Sequence, residues 1–146
     1  MSTSPNLKDV EEPRASQNYE MDVTPTIMVV DDDEDIRLLM GQLLRSDGYS
    51  VIEAATASEA ETKALANPPH LILMDLSMPG TDGLSAIWNI RKQPEMATVP
   101  IIIVSAYDAF DLRAEATAAG CCGYLTKPVD VAELKRTIKT ALESTY

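Results

Sequence analysis

At 146 residues with a formal charge of −11, the chain is long enough for one domain with a core of its own and needs no disulfide or structural metal. The charge argues against a nucleic-acid partner, because binding to phosphate backbones needs clustered Lys and Arg. No stretch approaches the ~18 to 20 apolar residues of a membrane span, and the N-terminus lacks the basic-then-apolar order of a signal peptide, so a cytoplasmic protein with no membrane contact is expected.

Residues 1 to 24 are rich in Ser, Pro, Asn and acids and poor in large apolar groups, which reads as a disordered acidic tail ahead of a domain over 25–146. From Thr26 onward short apolar runs alternate with helical patterns. That is the signature of a parallel sheet covered on both faces, with strands expected near 26–30, 50–54, 71–74, 101–104 and 123–125.

The first helix carries Ile36, Leu39, Met40, Leu43 and Leu44 at three- and four-residue spacing, a stripe that should face the sheet, and Gly48 should close it. The second opens at Ser58 with Glu61 as a capping box and stops before Pro68-Pro69. A third spans about Leu84 to Lys92, with Trp88 read as packing, and Pro94 forbids continuation. The fourth runs from about Ala109 to Ala119, with Asp108 as N-cap and Gly120 closing it; its small side chains make it the least firmly anchored. In the last, Asp130 and Glu133 form a capping box. Val131, Leu134, Ile138 and Leu142 make its buried stripe, while Lys135, Arg136 and Lys139 face water or a partner. Cys121 and Cys122 read as small buried hydrophobes, and His70 as structural or exposed.

Chemistry gathers at the strand ends, where doubly wound sheets bind ligands. The first strand delivers Asp31 and Asp32, the third Asp75, the fourth Ser105, and the fifth leads to Lys127. Carboxylates with one hydroxyl and one ammonium suit Mg²⁺ and a phosphoryl group, since Mg²⁺ takes a few carboxylate oxygens together with water and phosphate oxygens. Asp33, Glu34 and Asp35 are explained by the positive end of the helix they open. Asp31 and Asp32 precede that helix. A carboxylate such as Asp75 can attack a phosphoryl donor and form an acyl phosphate.

Together, the Asp31-Asp32 pair, the Met-Asp-x-x-Met-Pro-Gly-x-Asp-Gly run around Asp75, Val104-Ser105-Ala106 and Gly123-Tyr124-Leu125-Thr126-Lys127-Pro128 resemble the receiver domain of bacterial two-component response regulators. The resemblance covers about residues 25 to 144. It implies a flavodoxin-like (βα)5 fold with strand order 2-1-3-4-5 and a stand-alone receiver. Asp75 would accept a phosphoryl group from a phosphohistidine on a sensor histidine kinase or histidine phosphotransfer protein, then signal to a downstream protein target or relay the group onward. Asp32, Asp75 and the Ser77 carbonyl would ligate Mg²⁺ directly and Asp31 through water. Ser105 and Lys127 would hold phosphoryl oxygens, the Lys127-Pro128 bond would be cis, and Tyr124 would be the aromatic that turns when Ser105 moves. Such a chain is a phosphoacceptor signalling protein rather than an enzyme acting on other substrates.

Two alternatives are weaker. A Mg²⁺-dependent phosphohydrolase with an aspartate nucleophile resembles its class by a second Asp two residues on, where this chain has Ser77. A flavodoxin-like cofactor carrier would need phosphate-binding donors after the first strand, where Asp31 to Asp35 would repel the phosphate.

Overall fold

In a computed structural model, residues 24–76, 83–106 and 110–145 are described. Strands β1 (Thr26–Val30), β2 (Ser50–Ala54), β3 (Leu71–Asp75), β4 (Ile101–Ser105) and β5 (Gly123–Thr126) form one parallel sheet in the order β2-β1-β3-β4-β5. The order reverses between β1 and β3, as the resemblance implies. Helices α1 (Glu34–Ser46), α2 (Ala57–Ala66), α3 (Gly83–Arg91), α4 (Phe110–Ala118) and α5 (Val131–Thr145) connect or follow the strands, with a 3-10 turn over Pro94–Met96.

The strands are apolar because both faces are covered. Met28, Ile72, Met74, Ile101 and Ile103 point to one side, against the alanines of α2 and Ile87 and Ile90 of α3. Ile27, Val29, Leu73, Ile102 and Val104 point to the other, against Met40 and Leu44 of α1 and Leu134 and Ile138 of α5. Helices α1 and α5 therefore share one face of the sheet, and α2, α3 and α4 the other.

Two helix ends are closed alike. After α1, the Tyr49 and Gly48 amides donate to the carbonyls of Leu44 and Arg45, with Gly48 at φ +93°. After α4, Cys121 and Gly120 donate to Ala116 and Thr117, with Gly120 at φ +85°. Both are the glycine-centred closure in which only a residue without Cβ takes the left-handed turn cheaply.

The structure corrects several expectations. The capping pair of α2 is Thr56 and Glu59, not Ser58 and Glu61: the Glu59 amide donates to Thr56 Oγ1 at 3.0 Å, and Glu59 accepts from the Ala55 amide. The expected stripe of α1 divides, with Met40 and Leu44 buried but Leu39 58% exposed. Val131 is 42% and Trp88 49% exposed, so neither is core. Cys121 packs at the core margin, whereas Cys122 is exposed. The expected tail, apart from Thr24, and the Asp108 N-cap lie outside the described residues.

Candidate functional site at the carboxyl edge of the sheet

Strands β3 and β4 each run one residue beyond the expected span, so Asp75 and Ser105 are the last residues of their strands. Asp75 pairs in register with Val104, and Ser105 with Thr126, which sets carboxylate, hydroxyl and the approach to Lys127 along one edge. The Lys127 amide donates to the Ser105 carbonyl at 2.8 Å, and the Lys127-Pro128 bond is cis. At the end of β1, the Asp31 amide donates to the Ala54 carbonyl, and Arg37 from α1 donates to the Asp31 carbonyl at 2.8 Å. The next turn of chain is held by Asp31 Oδ1, which accepts from the Asp33 amide, and by Asp33 Oδ1, which caps α1 by accepting from Ile36.

Asp31, Asp75 and Ser105 are buried, while Asp32 is exposed. Carboxylate oxygens of Asp31, Asp32 and Asp75 lie within 4.8 Å of one another. Lys127 Nζ reaches Asp31 Oδ2 and Asp75 Oδ2, each at 3.2 Å. One ammonium thus bridges two of the three carboxylates.

The electrostatics carry the signature of excess negative charge. Burial pushes the Asp31 carboxyl above its ordinary value and the neighbouring Asp75 adds to this, while the Asp33 amide and Lys127 oppose it. Burial alone would lower Lys127, but the attraction of Asp75 and Asp31 outweighs it, and the ammonium is held above its ordinary value. A dication favours the ionised form of each carboxylate and relieves their repulsion. The donor set, carboxylate oxygens of two buried aspartates and one exposed aspartate, fits Mg²⁺.

Tyr124 on β5 is half-buried against the α2–α4 side of the core, and the Arg113 guanidinium lies 4.4 Å from its ring centroid. On the other side of Lys127 an apolar cavity of about 460 Å³ is lined by Ile36, Leu39, Leu43, Pro128 and Val131. It accounts for the outward-facing half of the α1 stripe.

The family model of the response regulator receiver domain matches residues 27–139. The chain belongs to that family. Two of its relatives are matched over most of their own length. It is 39% identical over 113 residues to an uncharacterized 14.6 kDa protein of Leptolyngbya boryana, covering 77% of this chain and 86% of that one. It is 29% identical to the sporulation initiation phosphotransferase F of Bacillus subtilis, covering 80% and 92%. Against the transcriptional regulatory protein PrrA of Mycobacterium tuberculosis it is 35% identical, and the match spans 82% of this chain but half the length of that regulator. Among solved structures, the chemotaxis protein CheY4 of Vibrio cholerae superposes with a TM-score of 0.78 at 28% identity, covering 82% of this receiver and 99% of that chain. A CheY-like receiver domain protein from Methanospirillum hungatei gives 0.79 at 30%, covering 84% and 96%.

Of the expected site residues, Asp31, Asp32, Asp75 and Lys127 are brought together, and Ser105 ends the strand beside Asp75. Ser77 lies outside the described residues. Arg37 and Arg113 were not anticipated from the sequence. Arg37 binds Asp31 and also pairs with Glu53 of β2 at 3.1 Å, and only the fold makes these contacts. No local spacing could have signalled either arginine. Among the described residues no helix is long and apolar enough to cross a membrane.

Proposed function

We propose that this receiver accepts a phosphoryl group on Asp75 from a phosphohistidine and uses the modified aspartate to bias a protein-binding face or to pass the group onward. The observation that carries the reading is a buried strand-end carboxylate, Asp75, held 3.2 Å from Lys127 Nζ beside two further aspartates. A carboxylate oxygen of Asp75 attacks phosphorus, the bond from phosphorus to the imidazole nitrogen breaks, and the imidazole departs with the electron pair. Lys127 and Ser105 then meet the phosphoryl oxygens, so positioning and electrostatics supply the catalysis.

Asp32 and Asp75 would hold Mg²⁺ directly with the Ser77 carbonyl, and Asp31 through water; when bound, the ion offsets charge on the transferring group. The apolar cavity beside Lys127 supports a protein donor, because Leu39, Pro128 and Val131 offer it dry contact next to the acceptor. The phosphotransferase and regulators among its relatives favour this acceptor role over a phosphohydrolase. A downstream target would read the face of α4, β5 and α5, where Tyr124 lies.

The test is labelling by a small phosphodonor with Mg²⁺. The wild-type chain should take up one acid-stable, base-labile phosphoryl group, and Asp75→Asn none. Equal uptake by both would refute the assignment.

A further inference from the structure

A cavity among the described residues lies at the opposite edge of the sheet from Asp75. It holds about 730 Å³ between the end of α3, the α4–β5 turn and the C-terminal half of α5. Trp88, Arg91 and Arg136 line it together with Thr98, Thr137 and Ser144. Among the described residues no carboxylate lines it. In a chain with 23 acidic residues against 12 Lys and Arg, a cavity with cations and no acid is set apart from the rest of the surface.

The contacts of the cations there are with neutral groups among the described residues. Arg91 donates to the carbonyls of Met96, Ala97, Val99, Ala119 and Gly120, a cage of dipoles with no formal charge. Among the described residues neither Arg91 nor Arg136 is paired with a carboxylate. Beside them Trp88 presents an exposed indole. An occupant should therefore be anionic and carry some apolar surface.

The chain has such a segment. Ahead of Thr24 stand Asp9, Glu11, Glu12, Glu20 and Asp22 against Lys8 and Arg14, interspersed with Leu7, Val10, Tyr19, Met21 and Val23. Its attachment point is on the right edge. Thr26 begins β1 and bonds to His70, which leads into β3, and the Ile72 amide of β3 bonds to the Pro100 carbonyl ahead of β4. Neighbouring strands are about 4.8 Å apart, so β1 and β4 are separated by about 10 Å. A handful of extended residues, at about 3.3 Å each, covers that distance.

We propose that the acidic segment before Thr24 docks in this cavity, its carboxylates facing Arg91 and Arg136 and its apolar residues covering Trp88. Covalent attachment makes the association intramolecular, so weak contacts suffice to fill the site. The edge of the receiver away from Asp75 is then occupied by its own N-terminal segment.

Trp88 is the only tryptophan, so its emission and its quenching by acrylamide report the cavity in the full chain. At low salt, the variant D9N/E11Q/E12Q/E20Q/D22N should show emission shifted to longer wavelength and loss of protection from quenching. Arg136→Gln, at an exposed position, should lose protection likewise. About 1 M salt, where the screening length is about 3 Å, should expose Trp88 in the wild type and leave the five-fold variant unchanged. Equal quenching of wild type and five-fold variant at low salt overturns the proposal. Protection that grows with protein concentration in both assigns the cavity to a second copy and overturns it as well, as does protection gained only on adding inorganic phosphate or ATP.

Discussion

The ammonium of Lys127 meets Asp31 and Asp75 at equal distances, and both acids are buried. Removing one partner from such a group leaves buried charge without compensation, which costs more than the pair contributes when intact. Lys127→Met should lower stability in urea by about 2 kcal/mol without Mg²⁺. Added Mg²⁺ should recover most of that loss, since a ligand bound only by the folded state stabilises it by mass action. The same variant should be labelled poorly by a phosphodonor even when Mg²⁺ restores its fold, because in the proposed function the ammonium also meets the product. A Lys127→Met protein as stable as wild type without Mg²⁺ would show that the three carboxylates do not strain the fold. The residues of this site were readable from sequence because each sits where an apolar run meets a turn. Arg37 and Arg113 were not, because they come from helices whose rotation about the sheet no local pattern fixes.

Helix α1 shows where sequence periodicity stops being informative. Spacing correctly identified a helix with an apolar side, but Ile36, Leu39 and Leu43 line a cavity beside Lys127 while Met40 and Leu44 reach the sheet. A stripe wide enough for both reads as one buried face, and Val131 on α5 was misread for the same reason. At α2 two Ser/Thr-x-x-Glu patterns overlap, and the choice between them is made by packing: starting at Ala57 puts Ala57, Ala60 and Ala64 against the core. The end of α1, in contrast, was legible because only one residue type suits it. At Gly48 an added Cβ would meet nothing within 4 Å, so substitution there tests backbone conformation alone. Gly48→Ala should cost about 1 kcal/mol, measured as a lower urea midpoint with an unchanged slope. A neutral result would mean that the closure relaxes into another turn at no cost.

Across the molecule, a change at Asp75 can reach a partner only if some element has two packings that the phosphoryl group distinguishes. Ser105 and Tyr124 lie on adjacent strands, and the Tyr124 ring is stacked under Arg113 of α4, a helix whose described side chains bury only Ala116 against the sheet. A guanidinium over a half-exposed aromatic contributes about 0.5 to 1 kcal/mol, and it does so only while the ring stays where it is. If Tyr124 leaves that position on activation, Arg113 opposes the switch. Arg113→Ala should then tighten the binding of beryllofluoride with Mg²⁺, a phosphoryl mimic, by about two- to fivefold. The effect should vanish in a Tyr124→Ala background, since a double-mutant cycle isolates the pair. Because coupling is reciprocal, a target that binds the activated face should tighten beryllofluoride binding by the same factor by which beryllofluoride tightens the target. Tightening by Arg113→Ala that persists without Tyr124 would place the effect in α4 itself, and no change at all would mean that the ring keeps its place when the site is filled.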